Sequence, residues 1–433
     1  MLLFNPVVIS VIVMAALCLL KLNVILAILA AALVAGLSAG MPIPETMTVL
    51  ISGMGGNSET ALSYILLGAL AVAINKTGLA TILAKKIAGG VKGKTVVFTL
   101  IIAFVACFSQ NLIPVHIAFI PILIPPLIPL MNQMKLDRRA MACALTFGLK
   151  APYVTLSAGF GLIFHNIIRD QMIQNGVQIT TSEIGGVMWI GGLSMLIGLL
   201  IAVFVVYRKP REYSEKLIED FENSEDVKMG TKQYMGLLGA AAAFVVQITT
   251  SSLPLGALAG LLVMIVTGAI KYKEIDEMMD GGMKIMGFIA FVMLVAAGYG
   301  QVLRETGAVE ALVNTTAGMV GGKLGGAFLM LAVGLLITMG IGTSFGTIPI
   351  LAAIYCPLAL KLGFSPASIA LLIGIAGALG DAGSPASDST LGPTSGLNVD
   401  GQHDHIWDTC VPTFIFFNIP LFIAGIIGAL MIG

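Results

Sequence analysis

The chain has 433 residues, 57% hydrophobic and only 11% charged, with zero formal net charge and a mean hydropathy of +0.99. A soluble domain covers its surface with roughly 25% charged residues, so the solvent of this chain is largely lipid. The balance argues against a soluble enzyme, and the absence of net charge argues against nucleic acid as a partner.

A spanning helix needs about 20 mostly apolar residues. The first candidate lies near residues 6–20, in the run MLLFNPVVISVIVMAALCLLK. No basic residue precedes that run, so it reads as a retained transmembrane helix, not a cleaved secretory signal. Further candidates follow near 24–40, 61–84, 141–165 and 185–207, then 233–250, 254–270, 283–300, 367–388 and 407–431. Two apolar stretches, 95–131 and 324–360, are interrupted. The first carries Ser109-Gln110-Asn111 and five prolines between Pro114 and Pro129; the second carries Gly340-Ile341-Gly342-Thr343-Ser344-Phe345-Gly346-Thr347. Each reads as a re-entrant helical hairpin, because backbone groups freed by proline and glycine at membrane depth need protein or water partners.

Residues 208–232 form a polar linker with six basic and seven acidic residues, in which Glu212 and Lys216 have helical i, i+4 spacing. It separates two halves, 1–207 and 233–433, that match in sequence. At an offset of 229, residues 77–94 and 306–323 share eight identities in eighteen positions, among them Thr77-Gly78 with Thr306-Gly307 and Gly93-Lys94 with Gly322-Lys323. One residue of slippage later, Ile120-Pro121-Ile122-Leu123 matches Ile348-Pro349-Ile350-Leu351. Following the helices, sixteen Lys and Arg fall on one side and four on the other. The positive-inside rule puts the first side in the cytoplasm and both termini outside. Five crossings in the first half make the repeat inverted, the plan by which many transporters build a midplane site. The expected fold is therefore all-α and polytopic: about ten transmembrane helices, two hairpins and broken helices in two inverted repeats.

The chemistry is expected at the interruptions. Gly380-Asp381-Ala382-Gly383-Ser384-Pro385-Ala386-Ser387-Asp388-Ser389-Thr390 breaks a helix and crowds carboxylates, hydroxyls and free carbonyls together. Hard oxygens suit Na⁺, and a carboxylate can exchange Na⁺ for H⁺. Asp381, Ser384, Ser387 and Asp388 are the candidates there; a polar loop at the cytoplasmic mouth is the plainer reading. The first-half counterpart, Lys150-Ala151-Pro152-Tyr153-Val154-Thr155-Leu156-Ser157-Ala158-Gly159, has a lysine and no acid. Lys150, Tyr153, Thr155 and Ser157 are candidates for holding a zwitterion or anion; the alternative is that Lys150 serves only to neutralise Asp381. The hairpin centres offer Ser109, Gln110, Asn111, Thr343 and Ser344, and His116 is a candidate proton relay. His165 reads as a cap of the broken helix. His403 and His405 flank Asp404 without a third metal ligand, and the five scattered cysteines suggest neither a disulfide framework nor a zinc site. Gly342-Thr343-Ser344-Phe345-Gly346 satisfies GxSxG, but a nucleophile elbow needs a strand–turn–helix setting and a histidine.

The 380–390 stretch resembles the GDxxSPxSDTT-like motif of NhaC-type Na⁺/H⁺ antiporters, members of the broad ion-transporter superfamily. Gly159-Phe160-Gly161 with Phe164-His165, and Asp400-Gly401-Gln402-His403-Asp404-His405 running into Trp407-Asp408, resemble the YuiF-like subgroup, named for amino-acid transport. The resemblance covers both halves. It implies a transport core with two hairpins, a dimer through scaffold helices and residence in a bacterial cytoplasmic membrane. Ser109-Gln110-Asn111 and Thr343-Ser344 depart from the Ser-Asn-Thr common at hairpin tips, and the first half lacks the acidic motif. The expected function is secondary transport of a small amino acid, histidine among the choices, driven by Na⁺ or H⁺, with no other cofactor. The alternatives are Na⁺/H⁺ exchange at Asp381, a channel, and an intramembrane hydrolase.

Overall fold

The computed structural model describes residues 5–20, 22–78, 94–111, 120, 124–214, 230–250, 252–308, 321–341, 344–385 and 387–433. His116 and Thr343 lie outside the described residues, as do the side chains of Ser109, Gln110, Asn111 and Asp388. Most of the 77–94 and 306–323 windows also falls outside them.

The described residues are mostly helical and contain no strand. The first half gives α1 (Pro6–Leu19), α2 (Val24–Ser38), α3 (Ile43–Met54), α4 (Ser58–Lys76), α5 (Thr95–Asn111), α6 (Arg138–Thr155), α7 (Phe160–Gln174) and α8 (Thr181–Ile201). The second gives α9 (Thr231–Thr250), α10 (Leu253–Val266), α11 (Ile275–Glu305), α12 (Gly322–Ile341), α13 (Ser344–Lys361), α14 (Pro366–Ala378), α15 (Asp388–Leu397) and α16 (Ile419–Ile432). π-helical turns extend α8 over Ala202–Val206 and precede α16 over His405–Cys410 and Phe414–Asn418. Four helical runs among the described residues are long and apolar enough to cross a membrane: 181–206, 322–339, 344–361 and 405–432. The α6–α7 pair qualifies jointly, bent by 48° at its break.

Helix α3 is absent from the sequence reading. Prolines 42 and 44 suggest a turn there, yet Pro42 stands at the N-cap and Pro44 in the first turn, where the missing N–H has no intrahelical partner to lose. Glu212 pairs with Lys135 at 2.6 Å and Arg211–Ser214 are not helical, while Lys216 lies outside the described residues.

Helices α4 and α11 pack antiparallel. Glycine makes their close approach possible: a Cβ on Gly68 would stand 2.8 Å from the Gly282 carbonyl oxygen, and Val72 fills the space facing Gly281. Lys76 pairs with Glu277 at one end of this contact. Helices α2, α3 and α13 also pack on α11, α1 packs on α2 and α12 and touches α11 through the Ser10–Tyr299 hydroxyl pair, while α9 and α10 pair with each other and α10 leans on α4. A second group joins α6 to α5, α8 and α15, and α14 to α12, α13 and α16.

Internal prolines leave carbonyls that the fold covers. Pro393 cannot donate to Ser389, whose carbonyl instead accepts from the Thr146 hydroxyl at 2.8 Å. Gly198 packs so closely against the Phe416 carbonyl, in the π-turn ahead of Pro420, that a Cβ there would sit 1.7 Å away. These contacts lock α6 to α15 and α8 to the α16 run.

Candidate functional site

Both broken helices owe their breaks to glycines in the left-handed region. Gly159 (φ 60°) separates α6 from α7, and Gly380 (φ 78°) and Gly383 (φ 91°) separate α14 from α15. L side chains avoid that region, so the sequence dictates where the helices stop. The α14 run ends at Ala378 and helix resumes at Asp388. Asn418 braces the gap: its Oδ1 accepts from the Gly380 N–H at 3.2 Å and its Nδ2 donates to the Ala382 carbonyl at 2.6 Å.

Asp381 stands in this gap, 5% exposed, and Lys150 on α6 is wholly buried. Their charges meet at 2.8 Å, Lys150 Nζ to Asp381 Oδ2. The Tyr153 hydroxyl (2.9 Å) and the Ser344 hydroxyl (2.7 Å) donate to the same oxygen. Ser387 and Ser389 donate to Oδ1, the latter at 3.4 Å. One carboxylate thus gathers four hydroxyl donors and one ammonium, from α6, the start of α13, and the break leading into α15. Isolated burial of either charge would cost several kcal/mol, about 3 or more on removal of one partner; pairing and hydroxyl donors make the burial tolerable.

Of the residues expected from sequence, Lys150, Tyr153, Ser344, Asp381 and Ser387 therefore converge on one point. Lys150 and Tyr153 lie on the helical side of the α6–α7 break, three residues apart and on one face. Others stand apart from it. The Ser384 hydroxyl donates to the Met339 carbonyl at 3.1 Å, and its own carbonyl accepts from Thr390. The Thr155 hydroxyl bonds the Ala151 carbonyl within its own helix. Ser157 meets His165 Nδ1 at 2.7 Å while His165 Nε2 meets the Val154 carbonyl, so His165 staples the α6–α7 break as a cap. Ser389 and Asn418 belong to the cluster and were not singled out from sequence. Ser389 lies inside the 380–390 motif, two residues beyond Ser387. The signal for Asn418 in the sequence is a lone amide in the apolar run of Val411–Ile432.

Aromatic rings wall the pair on one side. Phe345 lies 5.1 Å from Tyr153, 5.4 Å from Phe164, 5.7 Å from Tyr64 and 6.3 Å from Phe160, centroid to centroid. Tyr64 comes from α4, so the wall joins the α4–α11 group to the elements holding Asp381. An apolar crevice of about 570 Å³, lined by Phe104, Phe147, Pro152, Leu196 and Phe244 among others, lies on another side of α6.

A second polar cluster lies at the N-terminus of α6. Arg138, fully buried, forks onto Asp400 with Nη1–Oδ1 at 2.7 Å and Nη2–Oδ2 at 2.5 Å, and Tyr213 stacks on its guanidinium at 4.2 Å. Arg211 reaches Asp408 at 2.7 Å. His403 Nε2 meets the Thr409 hydroxyl and His405 Nε2 the Pro385 carbonyl, so the two imidazoles serve different partners. Burial pushes the His403 imidazole in this loop down to about 4. Ser344 of the GxSxG sequence faces Asp381 and Tyr153, at the start of a helix.

The profile of the Na⁺/H⁺ antiporter family matches residues 144–426, and a second Na⁺-H⁺ antiporter family profile matches residues 5–91. The first match contains every described member of the Asp381 cluster. An uncharacterised membrane protein of Vibrio parahaemolyticus is 49% identical over 440 residues, covering 99% of this chain and all of that one. YuiF of Bacillus subtilis, named as a candidate amino acid transporter, is 49% identical over 402 residues, covering 90% of this chain and 91% of its own. Among solved structures, Neisseria gonorrhoeae MtrF, described with a class of antimetabolite efflux pumps, superposes with a TM-score of 0.61 at 16% identity, covering 89% of this chain and 84% of its own. The Alcanivorax borkumensis YdaH transporter, described as having an unusual topology, gives 0.62 at 12% identity, covering 89% and 88%. At those identities the two structures speak for the fold alone.

Proposed function

This chain belongs to the Na⁺/H⁺ antiporter family, and from that premise we propose that it is a secondary transporter moving a small amino acid coupled to Na⁺ or H⁺. It is a membrane protein with a transporter fold. The observation that carries the substrate reading is the buried Lys150–Asp381 pair, a cation and an anion 2.8 Å apart at two helix breaks. An amino acid presents the same two charges in reverse. Its carboxylate can take Asp381's place at Lys150, and its ammonium can take Lys150's place at Asp381, with no net charge added to the membrane interior. Tyr153 and Ser344 then hold the carboxylate that the ammonium meets. A proton or Na⁺ arriving at Asp381 weakens its hold on Lys150 and opens the pair to solute, which is the coupling.

In this reading the two halves are inverted repeats of about ten spans and two hairpins, with both termini outside a bacterial inner membrane and the protein acting as a homodimer. The antiparallel packing of α4 on α11, which occupy matching places in the two halves, supports the inversion. Uptake into proteoliposomes of each of the twenty labelled L-amino acids, under an imposed Na⁺ or H⁺ gradient, is the test. Accumulation of none refutes the amino-acid reading.

The family, and the gathering of oxygens at Asp381, favour a second reading: Na⁺/H⁺ exchange at Asp381 without an organic solute. It predicts proton release on adding Na⁺ alone, abolished by Asp381→Asn.

A further inference from the structure

One buried amide in the described structure has no partner at all. Gln171, on the last turn of α7, is fully buried, and neither its Oε1 nor its Nε2 makes a hydrogen bond. Leaving a buried donor or acceptor unpaired costs about 1–3 kcal/mol each, so such a group calls for a physical reason. Arg304, at the end of α11, is similar. Its Nε and Nη2 hydrogen-bond to the Gln301 Oε1, but its Nη1 is buried without a partner. It makes no ion pair among the described residues.

Gln171 and Gln301, the hydrogen-bond partner of Arg304, border one short stretch of backbone. Gly53 and Gly56 stand three residues apart on a continuous helical run, hence on one face. A Cβ on Gly53 would lie 2.5 Å from the Gln301 Cβ, and one on Gly56 would lie 3.8 Å from the Gln171 Nε2. Gln301, which holds Arg304, and Gln171 therefore approach the same glycine face about one turn apart. This end of α11 lies opposite its Lys76–Glu277 end, on the side that the charge asymmetry assigns to the exterior.

The place is also in line with the Asp381 site. Phe160, Phe164 and Gln171 share one stripe of α7 at i, i+4 and i+11, so Gln171 stands roughly 10 Å beyond Phe164 along the helix axis. The aromatic wall of Phe164, Phe160, Phe345 and Tyr64 lies between it and the Lys150–Asp381 pair.

We propose that Gln171 and Arg304 form an outer recognition site for a zwitterionic amino acid, ahead of the aromatic wall and distinct from the Lys150–Asp381 site. This rests on the amino-acid reading given above. Arg304 Nη1 offers a planar, charge-assisted donor to a carboxylate. Gln171 offers what an α-ammonium and a carboxylate both need, an acceptor and a donor on one rigid amide. A plain inorganic cation uses neither Arg304 nor the Gln171 N–H.

The test compares the parent protein with Arg304→Gln, Arg304→Lys and Gln171→Leu in proteoliposomes. The labelled L-amino acid taken up best is the probe, and its methyl ester and decarboxylated amine are the competitors. Arg304→Gln should raise KM by about tenfold or more, the scale of one lost charge-assisted hydrogen bond, and more than it lowers kcat. It should also narrow the preference for the free acid over the ester, and Arg304→Lys should recover part of that preference. Gln171→Leu should raise KM yet raise the melting temperature, since an unpaired amide leaves the interior. Unchanged KM and unchanged ester discrimination in Arg304→Gln and Gln171→Leu, with normal uptake by the parent, overturn this site alone. A raised melting temperature in Gln171→Leu with unchanged KM assigns the amide to water and also overturns it. Absence of amino-acid uptake by the parent overturns the transport reading, and this site with it. Should Arg304→Gln fail to fold, Arg304→Lys and Gln171→Leu decide the matter.

Discussion

Removing one charge of the Lys150–Asp381 pair should harm the protein more than removing both, and the two single losses should be unequal. Lys150 Nζ is buried and its only partner among the described residues is Asp381. Asp381 has four further donors in Tyr153, Ser344, Ser387 and Ser389. Asp381→Asn strands the ammonium; Lys150→Met leaves a carboxylate still held by hydroxyls. Breaking a buried pair from one side costs about 3–5 kcal/mol, whereas exchanging both partners for apolar or neutral groups is often close to neutral. Asp381→Asn belongs at the upper end of that range and Lys150→Met at or below the lower end, each hydroxyl bond to the charge returning about 1.5–3 kcal/mol. The double variant Lys150→Met/Asp381→Asn should lie within about 1–2 kcal/mol of the parent. A double-mutant cycle in lipid nanodiscs, with unfolding followed by denaturant titration, reads these differences. Additive single losses, or a Lys150→Met cost exceeding that of Asp381→Asn, would refute the picture of a lysine dependent on one carboxylate.

The other predictions concern individual contacts. Tyr153→Phe keeps the ring against Phe345 and Phe164 but removes the donor to Asp381; the half-saturating Na⁺ or H⁺ concentration for transport should shift by about tenfold or more while the folded yield is preserved. Gly380→Ala forces a Cβ into a left-handed backbone and to within 2.7 Å of the Leu335 carbonyl. It should lose more than about 1–2 kcal/mol of stability, measurable as a fall in melting temperature. His403 titrates near 4 in the fold against about 6.5 unfolded, because burial disfavours its cation. The unfolded chain therefore binds the extra proton between those values, so the stability contribution is complete above about pH 6.5 and is lost as pH falls toward 4. The span corresponds to on the order of 3 kcal/mol. His403→Gln should flatten the acid limb of a stability-versus-pH profile; an unaltered limb would place the titration elsewhere.

The sequence displayed some of these features openly and hid others. Lys150 and Asp381 stand out because an ionisable residue inside an apolar run is expensive and therefore conspicuous. The glycines that set the helix breaks were equally legible, since a left-handed backbone has few other occupants. What periodicity cannot show is which hydroxyl turns toward which carboxylate. Ser384 and Ser387 sit in the same motif, yet of the two hydroxyls only that of Ser387 bonds the Asp381 carboxylate, while that of Ser384 turns to the Met339 carbonyl. Thr155 and Ser157 looked like site residues for their polarity, and each is used up by a local partner. Helix α3 went unread because prolines 42 and 44 mark turns as often as helix starts. The π-turns before α16 leave no period of their own, only the prolines at 412 and 420. Arg138 entered the charge count merely as a cation at a membrane edge; nothing local in the chain reveals its fork onto Asp400.

That fork has a consequence for how the protein is made. Arg138 and Asp400 are 262 residues apart, and Tyr153 lies 228 residues before Asp381. A ribosome adding roughly 5–20 residues per second needs about 13–50 s to bring Asp400 into being after Arg138. For most of that interval the first half carries a guanidinium and the Lys150 ammonium whose carboxylates have not yet been synthesised. The nascent first half cannot settle into its final packing alone; it must be kept hydrated or sheltered at the insertion site until its counter-charges arrive. A stalled chain ending before Asp381 should accordingly be a poor membrane resident and a good substrate for quality-control proteolysis.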